Sequence, residues 1–442
     1  MQVDPSPYRP NPAPAPAGPA PAIDRRVILA GAVGSIIEYY DFGIYGYLSA
    51  SLASVFFVHG DPAAALLATF ATFAAAFVLR PLGGLIFGHI GDRIGRKKTL
   101  AATVIAMALA TFAIGVLPSY AAVGAFAAVL LVLGRCVQGV ASGGEIGGAA
   151  SYVAECSPPH RRGLLCSTTQ LGALTGALLA SAVVTLFTTV LGDETMKAWG
   201  WRIPFLIGLP LGLVGLWIRA RLEDSPQFID LAERGEVAKA PVVQLFANNR
   251  AALARTFGLS VLLFAAYYVV YVYAATHLQK TGGFSALTAF WSTIATLAVS
   301  CVLMPVFGAL SDRVGRKPIF FGASIATLVL VFPGFMAMDA HGTALAVLAQ
   351  IVLGIPESAL MAVAFSTFAE MLPARVRYSG IALGFNLASM AVGGTAPYIC
   401  TWLINKTGDP LCPAWFLAGT ALITLATTFS LRESAGTSLR TS

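Results

Sequence analysis

Charge is what this sequence has least of. Asp, Glu, Lys and Arg make up only 11% of its 442 residues, against 57% apolar ones. A soluble globular chain carries about 25% charged residues, so there is too little charge to coat a water-facing surface. Soluble enzymes and nucleic-acid binders are excluded on that ground. The six cysteines (Cys136, Cys156, Cys166, Cys301, Cys400, Cys412) show no CxxC or Cys/His spacing. That argues against a disulfide scaffold or a metal site and leaves them as small apolar side chains. The N-terminus lacks the apolar stretch of a signal peptide. Residues 1–22 instead hold eight prolines alternating with alanine, the composition of a disordered tail. No GxSxG, HExxH or nucleotide-binding loop occurs, so no enzyme, no cofactor and no ATP-driven pump is expected.

What abounds is hydrophobic length. Mean hydropathy is +0.76, and 44 glycines suit close-packed membrane helices. Hydrocarbon leaves no lipid-facing backbone unsatisfied, so each run of about 20 apolar residues predicts a helix. Twelve such runs fall near 27–55, 63–88, 98–117, 122–154, 163–190, 203–219, 253–278, 287–310, 317–337, 343–369, 378–403 and 412–431. With the N-terminus inside, 22 of the 28 Lys and Arg lie in inside segments and only Lys197, Arg202, Lys280 and Lys406 outside. Arg80 and Arg135 fall within spans. That asymmetry predicts cytoplasmic termini and a multi-pass membrane protein in contact with lipid.

The chain also repeats itself. GHIGDRIGRKKT (88–99) returns as GALSDRVGRKPI (308–319), and AECSPPHRRG (154–163) is echoed by AEMLPARVRYSG (369–380). Each pair occupies the corresponding loop of a six-helix half. The predicted organisation is a tail (1–24), a first bundle (25–219), a charged linker (220–252), a second bundle (253–433) and a short tail (434–442). The predicted fold class is an all-α membrane protein, twelve transmembrane helices in two pseudo-symmetric six-helix bundles that rock about a central site.

The stretch Gly88–Lys98 resembles the signature loop between the second and third helices of the major facilitator superfamily, and Asp312, Arg313, Gly315, Arg316 and Lys317 form its second copy. EYYDFGIYGY (38–47), RPLGG (80–84), GRCVQGVASGGEIGGA (134–149), WGWRIPF (199–205) and LEDSPQF (222–228) resemble the metabolite:proton symporter subgroup. Its members carry proline and glycine betaine, 2-oxoglutarate, citrate or shikimate. The resemblance runs from about residue 30 to 430. It implies that Gly88, Asp92, Arg93, Gly95 and Arg96, with Asp312, Arg313 and Arg316, latch the halves in the outward-facing state. From the residues alone, the glycines permit a tight turn and Asp92 can accept from a helix N-terminus. The basic side chains can pair with Glu155 and Glu370, the acids that end each half-repeat.

A charge at mid-bilayer costs about 2.5–3.5 kcal/mol on insertion scales, so each one marks a functional candidate. Glu38 and Asp41 share a face of the first span with Tyr45, and a proton coupler needs a carboxyl that titrates as access alternates. Arg135 shares a face with Gln138. It demands an acceptor, either a bundle carboxylate (Glu38, Asp41, Glu145) or the carboxylate of a solute. Arg80 is expected to snorkel. Glu357 follows Pro356, where a loosened backbone at mid-depth lines a cavity. Tyr267 and Tyr271 share a face of the seventh span and can wall a solute site, with Asn386 a further contact. His277 and His341 read as interfacial residues. Proton coupling is therefore expected of Glu38, Asp41, Glu145 and Glu357, and solute binding of Arg135, Gln138, Tyr45, Tyr267, Tyr271 and Asn386.

The expected function is proton-coupled import of a small carboxylate-bearing solute by a monomer that needs no metal. A facilitator of sugar-like solutes and a non-transporting sensor are the alternatives. The glycine-rich but proline-free LGALTGALLASAVV (171–184) argues against a drug antiporter, and the ten residues after Arg432 against a sensor with an output domain.

Overall fold

Each long apolar run is a helix in the computed structural model, which describes residues 25–57, 61–94, 96–220, 241–340 and 342–439. Within these, side chains are described except at 25–31, 88–100, 219–220, 241–244 and 374–375. The first half holds α1 (Arg25–Tyr47, resumed after Leu48 as Ser49–Phe56), α2 (Pro62–Ile94), α3 (Arg96–Gly115), α4 (Phe126–Cys156), α5 (Arg162–Leu191) and α6 (Arg202–Ala220). The second holds α7 (Arg250–Lys280), α8 (Ala286–Val314), α9 (Arg316–Met338), α10 (Thr343–Met371), α11 (Val376–Thr407) and α12 (Cys412–Phe429). Among the described residues nine of these are long and apolar enough to cross a bilayer unaided, and the 60° bent pair Asp193–Gly200 with Arg202–Ile218 makes ten. The other two are α3, whose apolar part shortens to Ala101–Gly115, and α1, broken at Leu48 and carrying Glu38 and Asp41.

Glycine sets how closely the helices pack. A Cβ on Gly139 or Gly143 of α4 would run into the carbonyl oxygen of Ala76 or Arg80 on α2. No side chain fits there, so the two backbones touch. Between the halves, α2 packs on α11, α5 on α8 and α10, and α1 on the middle of α7. Over Tyr267–Tyr273, α7 widens into a π-helix. Such a bulge is a recurrent mark of functional sites, and here it brings successive tyrosines to the seam between the halves.

One expectation needs correcting. The signature stretch is not an open loop: α2 runs on through Gly88 and Gly91 to Ile94, and α3 begins at Arg96. Gly95 and the side chains of Gly88, Asp92, Arg93 and Arg96 lie outside the described residues. In the second copy the turn contracts to Gly315, whose φ of 105° favours glycine. A Cβ there would also strike the Glu433 carboxylate.

Candidate functional site

Ionisable side chains gather in two places. The first is the seam at mid-depth, where Glu38, Arg80, Arg135, Gln138 and Glu357 are each 0% exposed. Arg80 of α2 pairs with Glu38 of α1. It was expected to snorkel and does not: its guanidinium turns inward to the Glu38 carboxylate and is fully buried. Its Nη1 also reaches the Ser389 hydroxyl of α11 at 3.5 Å, and Tyr268 of α7 lies against it. Phe42 and Phe77 cover the guanidinium at 5.2 and 5.3 Å.

Arg135 lies in the same layer but faces inward within the first half. Its Nη1 donates to Gln138 Oε1 at 2.7 Å, and Gln138 Nε2 donates to the Thr111 hydroxyl at 2.6 Å. Phe42, Tyr45 and Phe73 enclose its cation at 4.7, 4.5 and 5.1 Å. Among the described residues Nε and Nη2 have no acceptor, and neither oxygen of Asp41 has a donor in bonding geometry, although Thr111 and Arg135 both neighbour Asp41. Glu145, buried at the break in α4, belongs to this charge cluster.

Across the seam, Tyr267 meets Tyr39 edge-on at 5.0 Å and Tyr271 at 5.4 Å. Tyr271 spends its hydroxyl on Ser300 Oγ and the Gly354 carbonyl at 2.9 and 3.0 Å. Glu357 lies near Tyr39 and Tyr271, both of its oxygens without a donor. Asn386 donates to the Gly143 carbonyl at 3.0 Å and leaves its Oδ1 without a partner. The expected residues thus lie in a charge cluster of the first half and in the tyrosine seam facing it, with Asn386 of α11 bonded further along α4, and Arg80, Tyr39, Tyr268 and Ser389 join them. Arg80, a charge within a span and part of RPLGG, is a site residue that the snorkelling expectation left out.

The second gathering is at the end where α4 meets α5, α8 meets α9 and α10 meets α11. Arg162 pairs with Glu370 at 3.0 Å and Arg377 with Glu155 at 2.9 Å. Each arginine stands seven residues after the acid of its own half and binds the acid of the other half, so the duplicated segments exchange partners. Arg316 adds Nη2 to Glu370 at 3.2 Å and Nη1 to Asp312 at 2.9 Å. Asp312 accepts from the Gly163 and Leu164 amides at 2.7 and 2.9 Å, capping α5 from the opposite half. Asp92 was expected to cap a helix in this way; its second-copy counterpart does so. Arg162 and Arg377 had been counted only toward topology. Arg313 is exposed and has no ion pair among the described residues.

His277 also departs from expectation. It is fully buried and bonds Asp339 Oδ1 through Nε2 at 3.0 Å, joining α7 to α9. His341 lies outside the described residues.

Two six-helix halves closed over buried charges, and locked at one end by reciprocal ion pairs, define a membrane carrier of the major facilitator fold. The chain belongs to the sugar (and other) transporter family, whose model matches residues 27–245 and 230–441. It is a membrane transporter, not an enzyme. It is 36% identical over 94% of its length to the proline/betaine transporter of Salmonella typhimurium, covering 85% of that protein. It is also 36% identical, with the same coverages, to the glycine betaine/proline/ectoine/pipecolic acid transporter OusA of Dickeya dadantii. Among solved structures, the proton:xylose symporter XylE with a bound bromodeoxyglucose superposes at a TM-score of 0.77 with 20% identity, covering 94% of this chain and 97% of that one. XylE from E. coli in a partially occluded inward-open form gives 0.75, with 20% identity and coverages of 94% and 99%.

Proposed function

We propose that the protein imports a small zwitterion of the proline/betaine type together with protons, by alternating access across the bacterial cytoplasmic membrane with both termini inside. The observation that carries this reading is the seam itself. Acids and arginines closed off from water between two halves, with several donors and acceptors unspent, are what a carrier of a doubly charged solute and a proton requires. Relatives named for proline and betaine transport favour the zwitterion over organic dianions. Glu38, Asp41, Glu145 and Glu357 are the groups proposed to take the proton. Gln138, Tyr45, Tyr267, Tyr271 and Asn386 are proposed to border the solute path, with Arg135 the positive charge beside Asp41. The boundaries proposed for the halves are 25–219 and 253–433, and the crossing ion pairs are proposed as the cytoplasmic latch.

A zwitterion carries no net charge, so the membrane potential acts on the proton alone. At about 2.3 kcal/mol per charge per 100 mV, one proton sustains roughly a 50-fold solute gradient. The test is uptake into proteoliposomes of labelled proline, glycine betaine, 2-oxoglutarate, citrate and xylose under an inside-alkaline pH gradient. Proline and glycine betaine should accumulate, and a protonophore should abolish it. Accumulation indifferent to the protonophore sinks the coupling, and transport of xylose alone sinks the substrate class.

A further inference from the structure

We infer that Arg80, rather than Arg135, receives the carboxylate of the solute, and that Glu38 stands in for that carboxylate when the carrier is empty. This deepens the zwitterion-carrier reading and rests on it. Both arginines are fully buried, but they face different ways. The bonded and stacked neighbours of Arg135 (Gln138, Phe42, Tyr45, Phe73) all belong to the first half. Tyr268 of the second half borders both arginines, but of the two it is Arg80 that bonds across, to the Ser389 hydroxyl at 3.5 Å. A solute that moves between the halves must meet the group at their seam. Phe42 and Phe77 cover the guanidinium of Arg80, while its Nε has no acceptor. It therefore offers N–H edges to a ligand, and that fork accepts a carboxylate in the same way from a glutamate or from a solute.

The exchange accounts for the proton. When the solute takes Arg80, Glu38 is left in an apolar, closed site without its counter-charge, and it stays buried there only by binding one proton from the outer side. At the inner side the solute leaves, Glu38 gives that proton to the cytoplasm and re-forms its pair with Arg80. The empty carrier then returns as the structure shows it, with Glu38 and Arg80 paired. One solute and one proton cross in the same direction per cycle. The cationic end of the solute lies toward the rings of Tyr39 and Tyr267, which meet at the seam.

The test compares wild type, Glu38→Gln, Arg80→Lys and Arg80→Gln in proteoliposomes, with labelled proline and glycine betaine and a trapped pH dye. Glu38→Gln should keep counterflow exchange with a half-saturation within about threefold of wild type, and lose both its pH dependence and gradient-driven accumulation. Arg80→Gln should raise half-saturation about 100-fold. Arg80→Lys, which keeps the charge but not the fork, should raise it about tenfold. Protection of the thermal midpoint by glycine betaine in wild type and Glu38→Gln, but not in Arg80→Lys, supports the assignment even if Arg80→Gln does not fold. Glu38→Gln that still concentrates solute, or Arg80→Gln or Arg80→Lys with wild-type half-saturation, overturns it. Wild type that ignores the pH gradient overturns the proton-coupled reading itself, and this inference with it.

Discussion

The seam and the latch are built from the same residue types and are satisfied in opposite ways. At the latch every acid is spent: Glu370 accepts from Arg162, Arg316 and Ser434, and Asp312 from Arg316 and two backbone amides. At the seam Arg135, Asp41 and Glu357 are as deeply buried, yet keep donors and acceptors without protein partners. Buried polar groups are ordinarily hydrogen-bonded. On the proposed reading, the cluster whose acids are all spent is the lock, and the one with unspent groups, bordering Arg80, is kept ready for a solute and a proton.

Glu370 is the sharpest way to test the lock. Replacing it with Gln leaves Arg162 and Arg316 buried without their shared carboxylate, and removing one partner of a buried ion pair costs about 3–5 kcal/mol. Cys166 is 1% exposed and near enough to feel both Arg162 and Glu370, so it reports opening at that end. Glu370→Gln should speed maleimide labelling of Cys166 by about 100-fold or more, read by mass spectrometry of the labelled peptide. An unchanged rate would mean that these pairs do not hold the halves together.

Arg135→Met examines the other side of the comparison. Among the described residues, it removes a cation with two nitrogens lacking acceptors and deprives Gln138 alone of a bonded partner. Asp41 beside it can take a proton, so losing a buried cation that no carboxylate bonds relieves its desolvation cost without stranding a charge. The thermal midpoint should therefore hold or rise by about 2–4 °C, while proton-driven accumulation falls at least about tenfold. A loss of stability as large as that of Glu370→Gln would erase the distinction between the two clusters.

How much of this was legible beforehand differs between the same two regions. The helices were visible because an apolar run of sufficient length admits only one backbone in lipid. The duplicated loops exposed the two halves, and intramembrane charge alone flagged Glu38, Asp41, Arg135, Glu145 and Glu357. Arg80 was misread because its partner Glu38 stands on a different helix, and the packing that brings the two together, set in part by Gly139 and Gly143 against the backbone of α2, leaves no periodicity in the sequence. The latch partners were hidden because the pairing crosses between repeats. Glu155 to Arg162 and Glu370 to Arg377 have equal spacing within each copy, and only three dimensions show that the partners exchange. Glu433 escaped notice because it follows the last span as an ordinary charge.

Glu433 carries the smallest expected effect. Its carboxylate accepts from the amides of Arg316 and Lys317 at 2.8 and 3.0 Å, capping α9 from beyond the end of α12, and from the amides of Ser434 and Ala435 at 3.0 Å each. Partial burial pushes its pKa upward, but these four amides outweigh it and hold the value below the ordinary 4.5. The folded value being the lower one, the stabilisation is complete above 4.5 and is lost as pH falls through the folded value. An N-cap of this kind contributes about 0.5–2 kcal/mol, and solvent screening of an exposed carboxylate places it at the low end. Glu433→Gln should therefore lower the thermal midpoint slightly at neutral pH, and the two melting curves should converge as pH falls through the folded value, where the wild-type carboxyl becomes protonated too. A gap that persists undiminished at low pH would show that the cap acts through shape rather than charge, and that the latch is less electrostatic than its ion pairs imply.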